Sequence, residues 1–90
     1  MTTDTIIDVR TRDEHAAGHL EPALNLDLQD GTFEQALAGL DKSASYLLYC
    51  RSGNRSGIAM QMMLDAGFTN VTNLGSLEEA SASLGLPIVD

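Results

Sequence analysis

The stretch SYLLYCRSGNRSGIAMQMMLDAGF, residues 45–68, passes from a continuous apolar run through a polar loop into a helix-forming segment. SYLLY (45–49) shows no polar alternation, the pattern of a parallel strand covered on both faces. In SGIAMQMMLDAGF (56–68), Ile58, Met62 and Leu64–Ala66 supply the buried side of a helix and Gly67 marks its end. Between the two lies the single cysteine, Cys50, followed by Arg51, Ser52, Gly53, Asn54 and Arg55. Two of five basic residues thus flank one thiol in a chain of formal charge −8.

Working outward, TIIDV (5–9) reads as a short buried strand interrupted only by Asp8. RTRDEHAAGHLEP (10–22) holds a short polar helix that Gly18 ends, and ALNLDL (23–28) alternates like a half-exposed strand. TFEQALAGL (32–40) has Phe33, Ala36, Leu37 and Leu40 at helical spacing, with Thr32 as its N-cap. NVTNL (70–74) is the next strand, and SLEEASASLG (76–85) the last helix, with Ser76 and Glu79 forming a capping box. Strands and helices alternate, so residues 1–90 are expected to form one α/β domain: a small, mainly parallel sheet of about four strands flanked by helices on both faces.

Composition narrows the function. With 90 residues and 43% apolar content, the chain closes one modest core. The acidic charge argues against nucleic acid, whose phosphates it would repel. Apolar runs are too short to span a bilayer, and MTTDTIIDVR lacks the basic and apolar regions of a secretory leader. A lone cysteine forms no internal disulfide, so the expected compartment is the cytoplasm.

Sites in parallel α/β sheets form beyond the carboxyl ends of the strands, which is where Cys50 falls. Asp8 and Arg10 end a second strand and are expected near it. A short loop feeding a helix N-terminus points successive N–H groups into one concavity, a nest for anions. That nest, together with Arg51 and Arg55, is expected to lower the thiol below its usual value of about 8.5, with no histidine serving as base. Such a thiolate suits attack on an anionic substrate or stabilisation of a charged sulfur adduct. Read without chemistry, the same residues describe a half-buried cysteine beside a polar turn.

CRSGNRSG (50–57) resembles the active-site loop of rhodanese-domain sulfurtransferases. IIDVRTRDEHAAGHLEPALNLDL (6–28) resembles the family's N-terminal signature, and GFTNVTNLGSLEEA (67–80) the segment after its active-site helix. These matches cover nearly the whole chain in the right order, and the short N-terminus resembles the minimal single-domain type. The resemblance implies that Cys50 takes the outer sulfur of thiosulfate or a similar small anionic donor and holds it as a persulfide. Backbone N–H groups of Arg51 through Arg55 would cradle it, and cyanide, a small thiol or a protein thiol would remove it. No metal or cofactor is implied. Asp8, Arg10, His19 and Ser56 are implied as supporting residues.

Related phosphatases carry an arginine six positions after the cysteine, in a loop one residue longer; here Ser56 stands there and the arginine is Arg55. A thiol-based phosphatase or arsenate reductase is therefore disfavoured, and a non-catalytic or regulatory binding module is the other reading carried forward. A peroxide sensor lacks the second cysteine needed to resolve a sulfenic acid within the chain. His15 and His19 have the spacing of two metal ligands on a helix face, but Gly18 breaks that helix, and His19 matches the family's structural Gly-His. His15, Glu21-Pro22, Ser76 and the missing tryptophan depart from the family pattern and bear on packing and on the rim of the site. LPIVD (86–90) is placed against the sheet edge left bare by the short N-terminus.

Overall fold

A computed structural model of the chain describes residues 4–90; the first three residues of the 1–90 domain, which begin the stretch read above for a leader, lie outside them. Four strands form one parallel sheet in the order β3-β1-β4-β5: β1 is Thr5–Asp8, β3 Leu24–Asn25, β4 Ser45–Cys50 and β5 Asn70–Ser76. Helices α1 (Arg12–Ala17), α2 (Thr32–Leu37), α3 (Asn54–Asp65) and α4 (Leu77–Leu84) make the connections, and β2 (His19–Leu20) and β6 (Ile88–Val89) form a separate antiparallel ribbon. None of the described helices is long and apolar enough to cross a membrane.

Alternation along the strands divides the core. Ile7, Val9, Tyr46, Leu48 and Cys50 face α2 and α3, packing with Phe33, Ala59, Met63 and Phe68. Ile6 and Tyr49 face the other way, with Leu20, Leu77 and Ala80. The unbroken apolar character of SYLLY follows from serving both sides.

Local chemistry explains the helix ends. Thr11 and Glu14 form a capping box on α1, and Ser76 and Glu79 form the expected one on α4. Thr32 does not cap α2: it is the first helical residue, Gly31 takes the cap position at φ 88°, and Asp30 Oδ1 accepts the Thr32 N–H at 2.9 Å. The buried side of α3 also differs from expectation. Ser56, Ala59 and Met63 are buried, whereas Ile58 is 53% and Leu64 42% exposed, because the helix must present residue 56 to the end of β4. Met60 and Met62 pack partly against the core, in keeping with a filling role.

The segment 86–90 covers neither edge of the main sheet. Its Ile88 and Val89 pair with Leu20 and His19, two residues to which the sequence assigns no element because so short a strand carries no period. β4 and β5 are in register except at one bulge: Leu48 pairs with Asn73 and Tyr49 with Gly75, leaving Leu74 unpartnered in the ladder.

One buried polar cluster ties the second layer together. Asp8, fully buried, accepts from Arg10 Nε at 2.9 Å and from its terminal nitrogen at 2.7 Å. Arg10 also donates to the Gly18 carbonyl, and His15 Nδ1 lies 2.8 Å from Asp8 Oδ2. Tyr49 Oη donates to Asp8 at 3.2 Å and accepts from Leu20 N–H at 3.1 Å. Burial opposes ionisation of Asp8, but the Arg10 and His15 hydrogen bonds outweigh it and hold the carboxyl below its usual range. Burial likewise pushes the Tyr49 phenol up to about 12, so it remains a donor at neutral pH. Tyr49→Phe strands the Leu20 N–H and removes one donor to a buried carboxylate. It is expected to lower stability by about 1–3 kcal/mol, read from urea unfolding midpoints, with the fold retained.

Candidate active site

β4 delivers Cys50 to the carboxyl end of the sheet, between β1 and β5. The chain then turns into α3 within three residues, with Gly53 at its N-cap and φ 92°. That backbone angle favours glycine, and space demands it too: a Cβ on Gly53 would stand 3.2 Å from Gly75 Cα. Helix α3 begins at Asn54, two residues before the predicted start, so the thiol lies under its first turn.

Cys50 is wholly buried. Gly53 N–H donates to its Sγ at 3.0 Å, and Ser56 Oγ lies 3.4 Å away. Burial is the largest influence on the thiol and opposes ionisation. Hydrogen bonds from the Ser56 hydroxyl and from the N–H groups of Ser56, Ser52 and Gly53 outweigh it, so the thiol lies below its ordinary value. The lowering expected from the nest is present; its leading sources are hydrogen bonds rather than guanidinium charge.

The two arginines have different fates. Arg51 is exposed and makes no hydrogen bond or ion pair among the described residues. Arg55 is clamped by Glu14 of α1 in a bidentate pair, with distances of 2.7 and 2.9 Å. The Arg55 guanidinium holds the Glu14 carboxyl down to about 2, although burial pulls the other way. Ser52 and Asn54 present their side chains to solvent, and Ser52 serves the thiol through its backbone N–H.

Ser56 touches the thiol directly. Asp8 and Arg10 do not; they form the buried set on the opposite face of the sheet, and Arg10 reaches the rim of the site. His19 is structural: its Nδ1 lies 2.7 Å from the His15 carbonyl, and the two imidazoles stack at 3.8 Å.

Asn73 and Glu14 are the residues that sequence reading missed. Asn73 Oδ1 accepts from Ser56 Oγ at 2.6 Å and from Gly75 N–H at 3.0 Å, while its amide donates to the Gly53 carbonyl at 3.1 Å. It therefore ties β5 to the N-cap and first turn of α3, where the thiol loop runs into the helix. The Thr11-x-x-Glu14 spacing signals a helix cap, but nothing in it signals Arg55.

A pocket of about 200 Å³ opens beside the loop, lined by Arg10, Glu14, Ala17, Arg51, Leu77 and Glu78. A larger depression of about 370 Å³, lined by Arg12, Asn25, Asp27, Asp30 and Thr32, includes no group from the thiol loop.

A family described as the rhodanese-like domain matches residues 1–83. The chain is 33% identical over 73 residues to the thiosulfate sulfurtransferase PspE of Escherichia coli, covering 81% of this chain and 70% of PspE. Among solved structures it resembles the rhodanese-like domain of the Alr3790 protein from Anabaena sp. (TM-score 0.84, 26% identity, 100% of this chain and 84% of that one). It also resembles a rhodanese from E. coli solved with anions (TM-score 0.80, 30% identity, 98% and 99% covered).

Two outcomes test the site. Ser56→Ala removes a donor to sulfur, so the midpoint for alkylation of Cys50 moves to higher pH and the rate at neutral pH falls. Glu14, lowered from 4.5 to about 2, adds stability that is complete above its unfolded value and is lost as pH falls toward 2. Urea midpoints of Glu14→Gln should consequently drop less than wild type between pH 5 and pH 2.5.

Proposed function

Since the chain belongs to the rhodanese-like domain family, we propose that it is a sulfurtransferase working through a Cys50 persulfide. The observation that carries this reading is the thiol itself: a cysteine lowered from its ordinary value by the hydrogen bonds of the loop that encloses it. The Cys50 thiolate attacks the outer sulfur of thiosulfate or a similar donor; a sulfur–sulfur bond forms, the donor's own breaks, and its electron pair leaves with sulfite. The loop N–H groups then face the charge carried on the new outer sulfur. Cyanide or a thiol takes that sulfur and returns the thiolate, so atoms and charge balance with no external oxidant.

Arg55 enters this chemistry indirectly. Its bidentate pairing with Glu14 offsets the guanidinium charge that was expected to act on the thiol, leaving backbone donors and exposed Arg51 to meet an incoming dianion. The loop, with arginine five positions after Cys50, supports sulfur rather than phosphate as cargo. A reducing compartment such as the cytoplasm suits a chemistry that needs its only thiol free.

Complete burial of Cys50 favours one second reading, a binding module that keeps the loop but turns over little. Intact mass separates the two. Thiosulfate is expected to add one sulfur atom to the wild type and none to Cys50→Ser, and cyanide to remove it. An unchanged wild-type mass with every sulfane donor would instead support the module.

A further inference from the structure

The pocket beside the thiol loop has an unusual charge balance. Of its lining residues, Arg10 is committed to Asp8 and the Gly18 carbonyl, and Glu14 to Arg55 and the Thr11 cap. Ala17 and Leu77 supply apolar wall. Arg51 and Glu78 remain, both exposed and neither engaged in a hydrogen bond or ion pair among the described residues. Arg51 directly follows Cys50, while Glu78 lies two residues after Ser76, the register partner of Cys50. One free cation, in the loop after β4, and one free anion, in the first turn of α4, thus face the same space of about 200 Å³.

A symmetric dianion fits this arrangement poorly: it gains Arg51 but meets Glu78 in a protein of charge −8. A ligand with both charges engages both residues. Resting on the sulfurtransferase reading, we propose that the preferred sulfur donor is a zwitterionic amino-acid persulfide, its carboxylate on Arg51 and its ammonium on Glu78. The Cys50 thiolate attacks the outer sulfur and the donor sulfur–sulfur bond breaks. The electron pair leaves on the amino-acid thiolate, and the transferred sulfur keeps its proton. Glu78 touches the donor away from the reacting atoms and sets specificity.

The test measures rates of sulfur addition to Cys50 by intact mass, using cysteine persulfide, N-acetylcysteine persulfide and thiosulfate on the full chain and on Glu78→Gln. N-acetylation removes the ammonium, and the variant supplies the reference for any difference in intrinsic donor reactivity. An exposed ion pair contributes at most about fivefold. The rate ratio of cysteine persulfide to its N-acetyl analogue is therefore expected to fall about three- to fivefold in Glu78→Gln, while thiosulfate loads faster than in wild type. A ratio unchanged by the substitution overturns the proposal and leaves the sulfurtransferase reading standing. If none of the three donors loads Cys50 in wild type, the sulfurtransferase reading falls and takes this proposal with it.

Discussion

A carboxylate with no access to water has to find its partners inside the protein, and Asp8 imposes that condition on half of this fold. Arg10 folds back onto it and reaches the Gly18 carbonyl, which fixes the path from β1 through α1 to β2. Tyr49 spans from β4 to the same carboxylate and holds the Leu20 N–H, while His15 brings in α1. No buried polar side-chain atom among the described residues lacks a partner, so the cluster meets the condition under which buried charge is tolerated. What α1 then offers to the other side is Glu14, and through it the position of Arg55.

The thiol lies across the sheet from that cluster and depends on a smaller one. Asn73 contributes three hydrogen bonds, two of them to the thiol loop and one within its own strand. The Ser56 hydroxyl has a single proton and two acceptors, Asn73 Oδ1 at 2.6 Å and Cys50 Sγ at 3.4 Å. The shorter contact takes the proton when the sulfur is neutral; a thiolate competes for it. Ser56 thereby couples the charge on sulfur to the anchoring of the loop by β5.

The parallel sheet and the placement of Cys50 were legible because SYLLY must be buried on both faces and a loop with Gly53 must turn at once into a helix. Asp8 and Arg10, expected near the thiol, instead pair on the other face of the sheet, because alternation along β1 turns Asp8 away from the layer that holds Cys50. The roles of Arg55, Glu14 and Asn73 were hidden for one reason: each rests on a contact between residues 17 to 41 positions apart in the chain, which no local period encodes. The helical faces of α3 misled because Ile58 and Leu64 are apolar yet exposed. The β2–β6 ribbon, two residues on each side, is too short to register at all.

The surplus residue in β5 gives the sheet an extra side chain on one face at no expense to the other. Asn73 opposite Leu48 and Ser76 opposite Cys50 keep the register that serves the loop anchor and the start of α4, while Leu74, between them, packs with the layer of Ile6, Tyr49 and Leu77. Loss of Leu74 would close the ladder with Asn73, Gly75 and Ser76 still opposite Leu48, Tyr49 and Cys50. For chains sharing this fold, a one-residue gap at this point is therefore felt first in the layer across the sheet from the thiol.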